Sequence, residues 1–150
     1  MKIDSRVEPL VRNTIHTAVI GDFWKLEKAL QSFPDDEAAQ KAIELGVSLI
    51  YVLMIDIHEG MPSDDEIQGL AAEVARAEAW AMPTEEQVTT FLRHIMNGKP
   101  FAGVVPVEDV VILTFVVAAH LLSSCRRDDE EWWDYLDRVE AVLEAVYPNP

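Results

Sequence analysis

The stretch from Val107 to Cys125 constrains the fold more than any other part of the chain. Between Val110 and Leu122 its only polar side chains are those of Thr114 and His120. A helix that is apolar on every side has no face for solvent, so this one is predicted to be buried. The apolar run is also shorter than the roughly 20 residues that cross a bilayer, which favours a core helix and no membrane partner.

Amphipathic helical patterns flank this stretch on both sides. Apolar residues recur at spacings of three and four, and Ser5, Ser63 and Thr84 each stand three residues before a Glu or Gln, as in a capping box. The segment from Val47 to Ile57 is nearly as apolar as the central stretch and is expected to pack on it, with Gly60 in the left-handed position after that helix. The predicted helices cover approximately residues 5–20, 22–33, 36–59, 63–81, 84–97, 107–125 and 129–146.

No segment shows the alternation typical of a strand. The chain has 150 residues, a length typical of one domain that folds without a metal or a disulfide. We therefore predict an all-α fold, a single domain over residues 1–150, with about seven helices packed around residues 107–125. The packing is either an ordinary bundle or an orthogonal, irregular one.

The cysteine content and the first residues indicate a cellular compartment. The chain has one cysteine, so it can form no disulfide within itself. The first residues show no apolar run of the kind that a secretory signal has. Both observations favour a reducing cytoplasm.

The net charge of −15 is large for this length. Much of the acidity falls at predicted helix starts, where carboxylates complement the helix dipole. The remainder is concentrated in residues 29–73 and 128–150, which would form a strongly negative surface if they share a face. Direct nucleic-acid binding is disfavoured because the only adjacent basic pair is Arg126-Arg127.

Local sequence offers little catalytic chemistry. None of the four histidines has a carboxylate, cysteine or second histidine three or four residues away, where helical side chains meet. Nucleotide-binding loops, nucleophile-elbow serines and HExxH motifs are absent. We predict no metal, no cofactor and no catalytic residue. An enzyme remains a less favoured hypothesis, which would use His120 with Asp56.

His120 is the one ionisable group deep in the central stretch. We expect a core imidazole, neutral and satisfied by a nearby serine or a backbone carbonyl. The alternative is a general base or a pH switch. Asp56 is expected to be exposed near a helix end. Cys125 lies at a helix C-terminus, where the dipole disfavours a reactive thiolate.

The leading functional hypothesis is a small acidic interaction module, such as an adaptor, a regulator or an immunity-type inhibitor. If Trp132 faces the core, Trp133 lies on the flank of the last helix and can anchor a partner. The partner would be a protein with a basic surface, or a second copy of this chain. The candidate partner-binding residues are Trp133, Asp134, Asp137, Glu140 and Tyr147.

The alternative hypothesis is a helical protein that binds a small hydrophobic ligand near His120. The segment from Phe101 to Val105 either plugs one end of the bundle or acts as a lid over such a pocket. The candidate pocket residues are His120, Phe101, Val104 and Asp56.

Overall fold

A computed structural model of the chain describes residues 1–146. Within this part the chain forms seven α-helices, one short 3₁₀ turn and no strand, which confirms the predicted all-α bundle. The α-helices are α1 (Glu8–Ile20), α2 (Phe23–Gln31), α3 (Asp36–His58), α4 (Asp64–Ala77), α5 (Glu85–Asn97), α6 (Val107–Ser124) and α7 (Trp132–Val146), with the 3₁₀ turn (Ala79–Ala81) after α4.

Helix α6 is the centre of the bundle. Every side chain from Leu113 to Leu122 is buried, and α6 packs chiefly against α1 and α3, with further contacts to α5 and α7. The buried apolar side chains form one continuous core. The prediction of a central buried helix that packs on α3 is confirmed.

Gly46 makes the close crossing of α3 and α6 possible. A Cβ atom added at Gly46 would lie 2.4 Å from Cγ2 of Thr114 on α6. Thr114 is fully buried, and its hydroxyl donates a hydrogen bond to the carbonyl of Val110 at 2.7 Å. Its methyl group therefore has little freedom to move, and the two helices approach at a distance that only glycine permits.

Helices α3 and α6 are each long and apolar enough to cross a membrane by length and composition alone. The expectation that the central helix is too short for a bilayer is therefore wrong as an argument from length, because α6 has 18 residues. Within the fold, 61% of its apolar window is buried. Packing against the other helices accounts for its composition.

Most of the helices have a side-chain cap at their N-terminus, at the residue where the sequence predicts the helix to begin. Both hydrogen bonds of the capping box are present at Ser63 and at Thr84, and Asp22 and Asp35 cap α2 and α3. The box predicted at Ser5 does not form.

Helix α1 begins at Glu8 rather than Ser5. Its N-cap residue has no side-chain cap. The preceding turn is held by Asp4, whose carboxylate accepts a hydrogen bond from the backbone N–H of Arg6 at 2.8 Å. The Glu8 side chain binds Arg12 instead of the N-cap backbone. An ion pair thus replaces the predicted box.

The residue that adopts the left-handed conformation at the C-terminus of α3 is not the predicted one. Glu59, not Gly60, adopts the left-handed conformation, with φ of 56°. A β-carbon is unfavourable in this conformation, so Glu59→Gly should stabilise the fold by about 0.5–1 kcal/mol. Chemical denaturation measures this. Glu59→Ala is the matched control, because it removes the carboxylate but keeps the β-carbon, and an equal gain in both variants would contradict the explanation.

Helix α4 ends at Ala77, four residues before its predicted end, and the 3₁₀ turn follows. Glu78 leaves helical geometry, with φ of −106° and ψ of 36°. Its side chain is hydrogen-bonded to His120 and Trp80 rather than continuing the helical surface.

The last helix also begins later than predicted, at Trp132. The segment before it is a turn in which Glu130 accepts a hydrogen bond from the N–H of Arg127.

Candidate functional site

The aromatic side chains at the start of α7 have the arrangement that the sequence predicts. Trp132 is buried and stacks on His16 of α1, with ring centroids 5.9 Å apart. Trp133 is 45% exposed and meets Trp132 edge to face at 5.7 Å. One tryptophan therefore joins α7 to α1, and the next presents a large apolar surface to solvent.

Trp133 lines an open cleft between α1 and α7, which we call the Trp133 cleft. Its volume is about 580 Å³. The lining residues are Glu8, Pro9, Arg12, Asn13, His16, Trp132 and Trp133. Both helices pack on α3 and α6, which is why two segments from opposite ends of the chain form one surface.

Arg12 is the charged centre of this surface. Its guanidinium contacts Glu8 and Asp137 at 2.7 Å and Glu140 at 3.1 Å. Three carboxylates thus share one cation, and we call these four residues the Arg12 cluster. Burial would lower the pKa of Arg12, but its contacts with the three carboxylates outweigh burial and raise it.

Glu140 differs from the expectation that it lies on an exposed partner-binding surface. The residue is only 9% exposed, and its Oε2 atom has no hydrogen-bond partner among the described residues. Burial raises the pKa of Glu140 to about 7, repulsion from Glu8 and Asp137 adds to the rise, and the charge of Arg12 opposes it. Glu140 is therefore a buried acid whose carboxylate lies against Arg12.

The other candidate partner-binding residues occupy varied positions. Asp134 is exposed, and its carboxylate accepts a hydrogen bond from the N–H of Glu131 at 2.9 Å. The Asp137 side chain is 62% exposed although it binds Arg12. Tyr147 lies outside the described residues. The structure thus places Trp133, Asp134 and Asp137 at the surface of α7 and Glu140 beneath it.

His120 has partners that the sequence analysis did not anticipate. It is 3% exposed, and its Nδ1 atom lies 2.9 Å from Oε2 of Glu78. Its Nε2 atom lies 3.5 Å from a carboxylate oxygen of Glu73 on α4. The expected serine or carbonyl partner is wrong. Burial alone would lower the pKa of His120, but the hydrogen bond and charge of Glu78, together with Glu73, raise it.

The residues of the predicted ligand pocket lie in different surroundings. Phe101 stacks on Phe91 at 5.3 Å and on His94 at 6.1 Å, and Val104 is exposed. Asp56 is exposed, as expected, and accepts a hydrogen bond from Tyr135 at 2.6 Å.

The partner of Asp56 is therefore Tyr135 and not His120. Burial raises the pKa of the Tyr135 hydroxyl, and the Asp56 contact raises it further, so Tyr135 remains a hydrogen-bond donor. Asp56 also lines a shallow cleft with Arg138 and residues of α3 and α7, and His120 does not contribute to that cleft. The pairing of His120 with Asp56 is not observed.

The described part of the chain has neither a cluster of metal-binding side chains nor a cysteine with a lowered pKa. No group of three His, Cys, Asp or Glu side chains within residues 1–146 is arranged to hold a metal ion. Burial raises the pKa of the Cys125 thiol, and the negative charge of Glu73 adds to the rise. The thiolate is therefore disfavoured, as its place at a helix C-terminus suggests.

Comparison of the chain with protein-family models, curated proteins and solved structures found no match in any of the three.

Proposed function

We propose that the protein is a small acidic interaction module that binds the basic surface of a protein partner through the Trp133 cleft. The observation that carries the proposal is Trp133 itself, a large aromatic side chain exposed at the edge of a cleft and flanked by exposed carboxylates. Tryptophan is among the residue types enriched at the positions that dominate binding energies at protein interfaces.

The chemistry of the cleft suits a cationic side chain of the partner. The faces of aromatic rings attract cations, and the protein already uses this contact elsewhere. The amine of Lys28 lies 4.0 Å from the ring centroid of exposed Trp24, and the guanidinium of Arg138 lies over Tyr135. Within residues 1–146 no cation of the chain lies over Trp133. An Arg or Lys from a partner would occupy an equivalent position.

The charge of the chain supports the same partner class. Asp134 and Asp137 lie on exposed turns of α7 next to Trp133, and the net charge of −15 attracts a basic surface at long range. Such charges act chiefly on the rate of association, and a central aromatic residue acts on the lifetime of the complex. The two features therefore predict different kinetic effects.

Affinity capture with three baits tests this proposal. The baits are the wild type, Trp133→Ala and Trp24→Ala, each used at about 0.05 M and about 0.5 M salt. Trp24 is the matched control, because it is also an exposed helical tryptophan, 63% exposed, but already carries its own cation. We expect a basic protein that the wild type and Trp24→Ala retain at low salt, that high salt releases, and that Trp133→Ala loses.

Two results would contradict the proposal. The first is a set of captured proteins that is the same for all three baits. The second is the capture of this chain's own copies alone, with a molar mass in solution that doubles for the wild type and not for Trp133→Ala, which would make the cleft a dimer interface.

The hydrophobic-ligand hypothesis remains a prediction without a supporting observation. Its four residues do not share a cavity among the clefts described above. Native mass spectrometry of the purified protein tests it, since a retained small molecule would favour it.

A further inference from the structure

The turn after α4 is fastened to the core of the bundle by one carboxylate. Oε2 of Glu78 contacts Nδ1 of His120 on buried α6 at 2.9 Å. Oε1 of the same side chain accepts a hydrogen bond from Nε1 of Trp80 at 3.0 Å. Glu78 therefore links α6 directly to the 3₁₀ turn that carries Trp80. We call residues 78–82 the Trp80 turn.

Trp80 in turn covers the corner between α1 and α2. Its ring meets Phe23 edge to face at 6.5 Å. A Cβ atom at Gly21, which has φ of 80°, would lie 3.5 Å from the same ring. The chain His120, Glu78, Trp80 thus connects the centre of the bundle to a surface corner formed by other helices.

The second nitrogen of His120 makes the arrangement sensitive to protonation. Nε2 is buried, has no hydrogen-bond partner within the described residues, and lies 3.5 Å from Oε2 of Glu73. Only the doubly protonated imidazole presents an N–H group to both carboxylates. When this proton is lost, the imidazole that contacts Glu78 is neutral. Nε2 then has no N–H group to donate to Glu73.

Among the described residues, the only charged groups that act on the pKa of His120 are Glu78 and Glu73. The buried residues of α1, α2, α3 and α5 include no titratable side chain. Helix α7 contributes Tyr135 and Glu140, which are bound to Asp56 and Arg12 respectively. Cys125, near Glu73, has a raised pKa and so remains neutral.

We propose that His120 and Glu78 form a pH-sensitive latch that holds the Trp80 turn against α6 while His120 is protonated. The latch is independent of the Trp133 cleft and of the function proposed for it. When His120 loses its proton, its contact with Glu78 becomes a weaker hydrogen bond between neutral imidazole and carboxylate. Trp80, which still meets Phe23, then loosens from the corner between α1 and α2.

The direction of the pH effect follows from the two partners. Although burial opposes it, the pKa of His120 is raised by Glu78 and Glu73. The stabilisation is therefore complete below the ordinary histidine pKa of about 6.5 and is lost as pH rises through the higher value of the folded state. Burial would raise the pKa of Glu78, but its hydrogen bonds from His120 and Trp80 lower it, so Glu78 stays ionised over this range.

Nuclear magnetic resonance of the full chain tests the latch. The imidazole signals of the four histidines are followed against pH in the wild type, Glu78→Gln and Glu73→Gln, together with the indole N–H signals of Trp80 and Trp24. We expect the His120 midpoint to lie above 6.5. It should fall in Glu78→Gln and fall less in Glu73→Gln. The Trp80 indole signal should shift with the same midpoint as His120, whereas Trp24, which belongs to another contact, should not follow it.

A His120 midpoint at or below the ordinary histidine value would overturn the proposal. So would a Trp80 indole signal that stays constant while His120 titrates. Both results are available from the wild type alone, so the test does not depend on the folding of the variants. The glutamine at position 78 keeps an oxygen that can accept the Trp80 hydrogen bond. A purely structural role for Glu78 would therefore leave the His120 midpoint unchanged.

Discussion

Gly46→Ala should destabilise the protein by about 1–3 kcal/mol, although alanine is the better helix former. The added methyl group would lie 2.4 Å from Cγ2 of Thr114, on a buried and hydrogen-bonded side chain. Helices α3 and α6 must then separate, and both belong to the centre of the core. Equilibrium unfolding in urea or guanidinium measures the change.

The molecule offers both a matched control and a rescue for this substitution. Gly69 is also a helical glycine, on α4, but has no atom within 4 Å of an added Cβ. Gly69→Ala should therefore stabilise the fold by about 0.5–1 kcal/mol. Thr114→Ser removes the clashing methyl and keeps the hydroxyl, so it should recover stability in the Gly46→Ala background while costing about 1 kcal/mol alone. If the changes that Gly46→Ala and Thr114→Ser make in the free energy of unfolding simply add in the double variant, the contact between positions 46 and 114 is not the cause of the destabilisation.

Glu140→Gln should stabilise the protein at pH 8 by about 2–3 kcal/mol and have little effect near pH 4.5. The folded-state pKa of Glu140 is about 7, above its ordinary value of 4.5, so the folded protein holds a proton that the unfolded chain releases between these values. Wild-type stability therefore loses this contribution as pH rises through that range. Glutamine stays neutral and can still accept a hydrogen bond from Arg12.

The difference between the wild type and Glu140→Gln should be measured against pH by chemical denaturation. Taking the difference removes the effects of other carboxylates, several of which have lowered pKa values and change stability in the opposite sense. Glu27→Gln on exposed α2 is the matched control for the loss of one surface charge. If the difference in the free energy of unfolding between the wild type and Glu140→Gln is constant from pH 4.5 to 8, the pKa of Glu140 is not raised by folding and the prediction is wrong.

Most of the fold could be predicted from local sequence because its signals are local. The caps at Asp22, Asp35, Ser63 and Thr84 each satisfy backbone N–H groups within three residues. The burial of α6 follows from its composition alone, since no arrangement of such a helix places a polar face toward water. The failure at Ser5 is also physical, because Glu8 gains an ion pair with Arg12 that competes with the cap.

The details of the sites could not be predicted because they depend on residues distant in the sequence. Glu140 lies two helical turns after Trp133, which suggests a shared exposed flank, but Glu140 is buried and the Arg12 side chain of α1 lies against it. His120 is paired with Glu78, 42 residues earlier, because α4 ends sooner than its pattern indicates. The requirement for glycine at position 46 similarly appears only when Thr114 is opposite it.

The most direct test of partner binding at the Trp133 cleft is the affinity of a captured basic protein for Trp133→Ala and Trp24→Ala at the same salt concentration. We expect Trp133→Ala to bind roughly 30-fold more weakly than the wild type, about 2 kcal/mol, through faster dissociation. Trp24→Ala should bind as the wild type does. Equal affinities for the two variants, or no basic protein bound by the wild type even at low salt, would contradict the proposed function.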